Sequence, residues 1–327
     1  MPTLDDVARA AGVSKSTASR ALSRPALVAP ETVLRVRQSA ERLGFVPNRA
    51  ATALARGRTG IVAVVVPTLE NAFFTPIIGG AQHRAAESGL QLTVVVNALR
   101  DDSDLDSLTQ LSAQVDGFLL TAPLGSESRT LAACQLKPTV LVDREIAGVS
   151  SVIADTATAF AAVARHFIRG GHQRIALVGG SNRSWQNEQR IAAVRAATAG
   201  LAELAIFDPM PPTFAAGTEI APALAESGAT AVIPYATALG LGIVFALGAR
   251  GVAVPDGMAI TIERQVAAAL GLTTMPTIDV DGAELGRTAM SALHDLMTRD
   301  TAETAARLRL PVPVVFPPPG DEAAPRG

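Results

Sequence analysis

From Ile61 onward, short aliphatic runs alternate with longer helical patterns, and this alternation restricts the chain more than any other feature. Residues 61–66 (Ile-Val-Ala-Val-Val-Val) are continuously apolar, as a strand buried on both faces of a parallel sheet must be. A helix near 74–88 stops at Gly89. Strand 92–96, helix 105–114, strand 117–121 and strand 139–142 follow. Helix 156–169 stops at Gly170-Gly171, and strand 175–178 opens a second series. That series continues with helix 186–199, strand 204–207, helix 216–226, strand 230–233, helix 238–249 and strand 258–262. Helix 282–299 is expected to return to the first series.

The pattern predicts an α/β body of two doubly wound parallel sheets, an architecture of the periplasmic-binding-protein type. The body is expected over 60–316, with lobe 1 at about 60–155 and 282–300 and lobe 2 at about 156–281. In such folds ligands lie beyond the carboxyl ends of the strands, between the lobes. Residues 317–327, rich in Pro and charge, read as a disordered tail.

Residues 1–58 break the alternation and differ in charge. They carry ten basic and four acidic side chains, a net of +6. The whole chain sums to −2, so the remainder carries −8. A compact basic module on an acidic body is the electrostatic footprint of a nucleic-acid binder. Within it, residues 3–23 read as two short helices joined at Gly12-Val13-Ser14. Val7, Ala8 and Ala11 form the apolar face of the first helix. Gly12 can take the left-handed conformation that ends it. Ser14 caps the second helix with Thr17 in support. Ala18 and Leu22 turn inward, leaving Lys15, Ser16, Ser19 and Arg20 outward. The pattern reads as a helix-turn-helix, in which the second helix is the one presented to DNA; on spacing alone the alternative is an ordinary helical hairpin with a solvated polar face. A third helix starts at Pro30, with Val33, Val36, Ala40 and Leu43 as its stripe.

An ordered series of short motifs now carries a resemblance. Asp6-Val7-Ala8, Ala11-Gly12-Val13-Ser14, Thr17, Ser19-Arg20 and Val46-Pro47-Asn48-Arg49 lie in the N-terminal part. Asn71-Ala72-Phe73-Phe74, Val115-Asp116-Gly117, Val142-Asp143-Arg144, Gly171-His172-Gln173-Arg174-Ile175-Ala176 and Glu284-Leu285-Gly286 continue the series. At these spacings the chain resembles the lactose-repressor (LacI) family of bacterial transcription regulators, to about residue 316. The resemblance implies a helix-turn-helix domain over 1–46, a hinge helix or linker over 47–59, and an effector-binding and dimerisation domain over 60–316. It implies a homodimer that binds a pseudo-palindromic double-stranded operator, most often as a repressor, with affinity set by a small-molecule effector. An activator, or a regulator that takes no effector, is the alternative within the family.

The resemblance also implies roles for particular residues. Lys15, Ser16 and Arg20 occupy base-reading positions. Arg20 suits guanine O6 and N7, while Lys15 reads a guanine or neutralises a phosphate. Thr3, Ser14, Thr17, Asn48 and Arg49 fall at backbone-contacting positions. Ala29 stands where a capping Ser is usual. Residues 48–56, an Ala-rich segment marginal as a helix in water, match the hinge helix, and Leu54 matches its minor-groove wedge. For Leu54 the bland alternative is helix packing.

In the body, Phe73 and Phe74 fall where relatives stack the effector, or they are a core pair. Asp143 ends a strand at the cleft. Arg190 falls where relatives hydrogen-bond the effector, or it is a surface ion-pair partner. Other positions depart from the family. Its Asn-Asp pair falls on Ala236-Thr237, its Gly-aromatic-Asp-Asp on Ile262-Glu263-Arg264-Gln265, and an aromatic on Pro212, near Phe214. With those acceptors gone and Arg264 replacing an acid, one expectation is an anionic effector clamped by Arg190 and Arg264. The other is that no effector binds.

Remaining features narrow the class by expectation. With one cysteine, Cys134, no internal disulfide and no Cys-based metal site can form. The four histidines (His83, His166, His172, His294) lack ligand spacing, so neither metal nor cofactor is expected. Ser/His/Asp or Cys/His constellations, a Walker loop and GxGxxG are missing, which argues against an enzyme. The first residues contain no apolar signal segment and no run reaches membrane-span length, so a cytoplasmic protein is expected.

Overall fold

The computed structural model describes residues 2–23, 25–45, 58–254, 258–272, 274–298 and 305–317. The chain forms two compact units, Met1–Gly60 and Ile61–Gly327.

The first unit is helical. Helix α1 (Leu4–Ala11) begins with a reciprocal capping box: the Asp6 amide donates to Thr3 Oγ1, and the Thr3 amide donates to Asp6 Oδ2 at 2.9 Å. It ends at Gly12, whose φ of 65° requires a residue without a Cβ penalty. Helix α2 (Lys15–Ser23) buries Ala18 and Ala21 fully, with Leu22 only half-buried. A single 3-10 turn (Pro25–Leu27) leads to helix α3 (Pro30–Leu43). Val7, Ala8, Ala11, Ala18, Ala21, Val33, Val36 and Ala40 close a small core between the three helices. Leu43, expected in that core, is exposed, and Ser39 is buried in its place, accepting from Arg42 Nη2 at 3.3 Å. Ala29 at the head of α3 supplies no side-chain cap, and Pro30 follows it, where a missing N–H costs nothing.

The second unit has two α/β lobes, as the alternation predicts. Lobe 1 is built on β1 (Ile61–Val66), β2 (Gln91–Val96), β3 (Gly117–Thr121), β4 (Thr139–Val142), β5 (Ser151–Ala154) and β12 (Arg307–Leu310). All are parallel, in the order β12-β5-β4-β3-β1-β2. Helices α4 (Phe74–Glu87) and α12 (Gly282–Thr298) cover one face. Helices α5 (Asp102–Ser112) and α6 (Glu127–Cys134) cover the other.

Lobe 2 is a parallel four-stranded sheet, β7-β6-β8-β9, made of β6 (Arg174–Val178), β7 (Glu203–Phe207), β8 (Ala231–Pro234) and β9 (Ala259–Ile260). Helices α7 (Thr156–Arg169) and α8 (Trp185–Thr198) pack on one face. Helices α9 (Phe214–Glu226) and α10 (Thr237–Gly248) pack on the other.

Between the lobes stands a small sheet of β10 (Ile262–Glu263), β11 (Thr277–Ile278) and β13 (Val314–Val315), with helix α11 (Arg264–Ala269) after β10. The expected strand over 258–262 is therefore two short strands in different sheets. Helices α6 and α11 and strands β5, β11, β12 and β13 had no counterpart in the sequence pattern. All six are eight residues or shorter, and β12 (Arg-Leu-Arg-Leu) is an exposed edge strand.

Two helices of lobe 1 meet backbone to backbone. A Cβ on Gly80 of α4 would fall 2.0 Å from the Ala283 carbonyl oxygen, and one on Gly286 of α12 would fall 2.0 Å from that of Ile77. Only glycine allows this approach. We expect Gly80→Ala to lower the melting temperature by several degrees, the cost of forcing backbone apart being about 1–3 kcal/mol. Gly79→Ala, one residue away on the same helix but facing open space, should leave the melting temperature unchanged or raise it, because alanine favours helix by up to ~1 kcal/mol. Thermal melts of the two variants check this.

Candidate functional sites

In the helical unit the turn is held by its own polar atoms. The Ser14 hydroxyl accepts the Thr17 amide at 3.1 Å and shares hydrogen bonds with the Ser16 and Thr17 hydroxyls. Lys15, Ser16 and Arg20 project from α2 into solvent, as do Thr3 and Ser14, while Thr17 is half-buried. Lys15 is not free: its ammonium pairs with Asp5 Oδ2 at 2.7 Å, from α2 back to α1. Arg20 forms no ion pair among the described residues. Asn48, Arg49 and Leu54 lie outside the described residues.

In the two-lobed unit a cavity of about 300 Å³ opens at the carboxyl ends of the strands of both lobes. Phe73 and Phe74 enter from the loop after β1 and meet edge to face, with ring centroids 5.8 Å apart. Asp143 stands just past β4 and Thr156 just past β5. Lobe 2 contributes Phe160, Arg190, Pro234, Tyr235 and Thr237, and the small sheet contributes Ile262, Glu263 and Ile278. Of the five expected effector residues, Phe73, Phe74, Asp143 and Arg190 come together here.

Arg264 does not line this cavity. Its guanidinium is half exposed and pairs with Asp279 at 2.6 Å. The expected two-arginine anion clamp is therefore not assembled. The loss of acids from the lobe 2 wall is also smaller than the motif comparison implied. Glu263 lines the cavity and accepts a 3.2 Å hydrogen bond from Thr237 Oγ1. Phe214 lies outside the lining and packs on Phe245.

Arg190 is a buried side chain rather than a surface ion-pair partner. Its Nε donates to Thr156 Oγ1 and its Nη1 to the Tyr235 carbonyl, both at 2.9 Å. Its guanidinium carbon lies 4.6 Å from the Phe160 ring centroid and 4.7 Å from that of Tyr235, two cation–π contacts. The Thr156 hydroxyl donates onward to Gln186 Oε1, and Gln186 Nε2 donates to Asp143 Oδ1 at 2.8 Å. Asp143 Oδ1 also accepts the Ala154 amide at 2.9 Å. A continuous buried chain thus runs from Tyr235 in lobe 2 to Asp143 in lobe 1.

Burial pushes the Asp143 carboxyl up to about 6. The Ala154 amide, Gln186 and the charge of Arg190 oppose that rise. Asp143 also holds a left-handed backbone, φ 55°, and Ala122, another lining residue just past β3, has φ 45°. Backbone strain at two adjacent strand ends facing one cavity marks a shaped site.

Sequence reasoning missed Thr156, Phe160, Gln186, Tyr235 and Thr261. Tyr235 is the chain's only tyrosine and directly follows β8, which was a usable signal. Thr156 and Gln186 lie in the first turns of helices, Phe160 one turn into α7, and Thr261 between β9 and β10, and no motif marks any of them. Thr261 Oγ1 is enclosed without a hydrogen-bond partner.

A larger, more open depression of about 770 Å³ lies at the amino end of β4, lined in part by Cys134, Lys137, Pro138 and Leu296. Burial pushes the Cys134 thiol up to about 12, which keeps it protonated and unreactive at neutral pH. Among the described residues no cluster of His, Cys, Asp and Glu could hold a metal ion, and no helix is long and apolar enough to cross a membrane.

The raised Asp143 pKa has a defined consequence. Between about pH 4 and 6 the folded state holds the Asp143 proton more tightly than the unfolded state does, so this residue's contribution to stability falls as pH rises through that window. Asp143→Asn removes the effect. Relative to the parent, the variant should gain stability from about pH 4 to 6 and then stay level, as read from paired thermal melts across that range.

Comparison with known proteins agrees with this geometry. Residues 3–48 match the model of bacterial regulatory proteins of the lacI family, and residues 59–316 match that of periplasmic binding proteins and the sugar binding domain of the LacI family. The maltose regulon regulatory protein MalI of Escherichia coli (strain K12) is 33% identical over 198 residues, 58% of this chain and 57% of that protein. The HTH-type transcriptional regulator DegA of Bacillus subtilis (strain 168) is 27% identical over 303 residues, 88% of this chain and 90% of that protein. The structure of the lac repressor dimer bound to operator and the anti-inducer ONPF superposes with a TM-score of 0.82 at 23% identity, covering 96% of this chain and 97% of that one. The chain belongs to the LacI family of bacterial regulatory proteins.

Proposed function

We propose that this protein is a homodimeric, sequence-specific DNA-binding transcriptional repressor that acts in the cytoplasm, without catalytic activity, under control of a small molecule held between its lobes. The observation that carries the reading is the exposed row of Lys15, Ser16 and Arg20 on α2, rigidly capped by Ser14, in a module of net charge +6. Such a helix enters the major groove, and a two-fold dimer matches a pseudo-palindrome. The lac repressor structure, a dimer on its operator with a ligand, supports the same assembly by fold. Arg20 reads a guanine through its fork. Thr3, Ser14, Thr17, Asn48 and Arg49 set register on the backbone, and Leu54 wedges into the minor groove at the operator centre. Residues 1–46 act as the reading head and 47–59 as the hinge.

Gel-shift titration on a palindrome from the DNA flanking the gene tests this. Arg20→Ala should cost about 1–3 kcal/mol and relax discrimination at one base position, and Leu54→Ala should weaken operator binding. Unchanged affinity in both would refute the reading.

The Asp5–Lys15 pair adds a separate expectation. Lys15 must leave Asp5 to reach DNA, and an exposed pair of this kind is worth about 0.2–1 kcal/mol. Asp5→Asn should therefore tighten binding to random-sequence DNA by up to about fivefold. The gain should be at least as large on operator, where Lys15 is placed at a base-reading position, as measured by fluorescence anisotropy on both duplexes.

A further inference from the structure

We propose that the inter-lobe cavity takes a small organic monocation, an amine carried on a compact ring body. This rests on the effector reading above and names the ligand's chemistry. Three charged side chains line the cavity, Asp143, Arg190 and Glu263, and they leave it one negative charge in excess. An enclosed, uncompensated charge is costly, and a cation of opposite sign removes that cost.

The open valences point the same way. Arg190 is anchored through Nε to Thr156 and through Nη1 to the Tyr235 carbonyl, with the Phe160 and Tyr235 rings 4.6 and 4.7 Å from its guanidinium carbon. Its Nη2 makes no hydrogen bond among the described residues and can only donate. Asp143 uses Oδ1 for both of its hydrogen bonds, so Oδ2 accepts none among the described residues. Glu263 likewise uses only Oε2. The cavity therefore offers two open carboxylate oxygens against one guanidinium nitrogen, an excess of acceptors that an ammonium meets.

The rest of the lining excludes the main competitors. Leu241, Ile262, Val266 and Ile278 line the cavity together with the Phe73–Phe74 pair. A polyol would lose hydration against these surfaces without recovering hydrogen bonds. A ring packs on them favourably, and aromatic faces attract a cation. A volume of about 300 Å³ is that of roughly ten water molecules, which limits the body to a single ring with a short arm.

The test uses three probes that share one body, 2-phenylethylamine, 2-phenylethanol and phenylacetate, with glucose and cellobiose alongside. Trp185 is the chain's only tryptophan and adjoins Gln186 at the head of α8, so its fluorescence reports binding in the full-length protein. The amine should saturate and bind about tenfold or more tightly than the alcohol, with no response to the acid or the sugars. Glu263→Gln and Asp143→Asn should each weaken the amine about tenfold while leaving the alcohol unchanged. Tighter binding by phenylacetate or a sugar would overturn the proposed chemistry while leaving the cleft as an effector site. No saturable response to any probe would also overturn it. A probe that saturates the cleft without altering operator affinity would overturn the effector reading itself.

Discussion

The buried guanidinium of Arg190 is the constraint around which the two-lobed unit is organised. A cation that is only 7% exposed has lost its water and must recover the loss from fixed partners. Thr156, the Tyr235 carbonyl and two aromatic rings supply that recovery. Each partner is in turn fixed by fold. Thr156 begins α7 just past the end of β5, and Tyr235 follows β8. Gln186 sits on the first turn of α8, whose N-cap Ser184 also contacts the Tyr235 hydroxyl at 3.1 Å. The arrangement of strand ends, helix starts and the chain's only tyrosine is thus explained by one charge that has to be satisfied.

The same charge separates structure from ligand binding. With Arg190 anchored through Nε and Nη1, the excess charge of the cavity belongs to the carboxylates of Asp143 and Glu263. Asp143 holds lobe 1 through the Ala154 amide and lobe 2 through Gln186, both by its Oδ1. It does so from a left-handed backbone, which aspartate tolerates better than most residues. Raising its pKa to about 6 is the electrostatic expression of burying a carboxylate with one oxygen satisfied and the other open.

Much of this was legible from the chain, and the unread parts have physical causes. Long elements with buried faces, such as α7 with its apolar stripe through Phe160, Ala164 and Phe167, announced themselves by period. The Gly12-Ser14 turn was readable because a left-handed residue and a cap demand particular side chains. Short edge and crossover strands were not, since β12 exposes most of its residues and β11 and β13 are two residues long. In the cleft, motif positions located Phe73, Phe74, Asp143 and Arg190. The orientation of neighbours on one short segment was beyond them. Glu263 and Arg264 are adjacent in sequence, yet one ends β10 facing the cavity and the other begins α11 paired to Asp279. A one-residue change of element reversed the sign of the charge the cavity receives.

That reversal is why charge, rather than shape, is the discriminating property in the proposed site. An apolar wall of Leu241, Val266 and Ile278 beside two phenylalanines accepts many ring-sized bodies with similar gain, because apolar contact is non-directional. Selectivity then has to come from the few polar atoms that are both enclosed and open. A wrong partner there leaves a desolvated carboxylate unpaired, a penalty far larger than a missing methylene contact. Asp143 links both lobes through one oxygen and faces the cavity with its carboxylate. Any group that changes the charge on that carboxylate therefore acts at once on the occupant's affinity and on the hydrogen bond to Gln186 that spans the lobes. In the site as proposed, Asp143 thus couples the charge offered to a ligand, which it shares with Glu263, to the contact between the lobes.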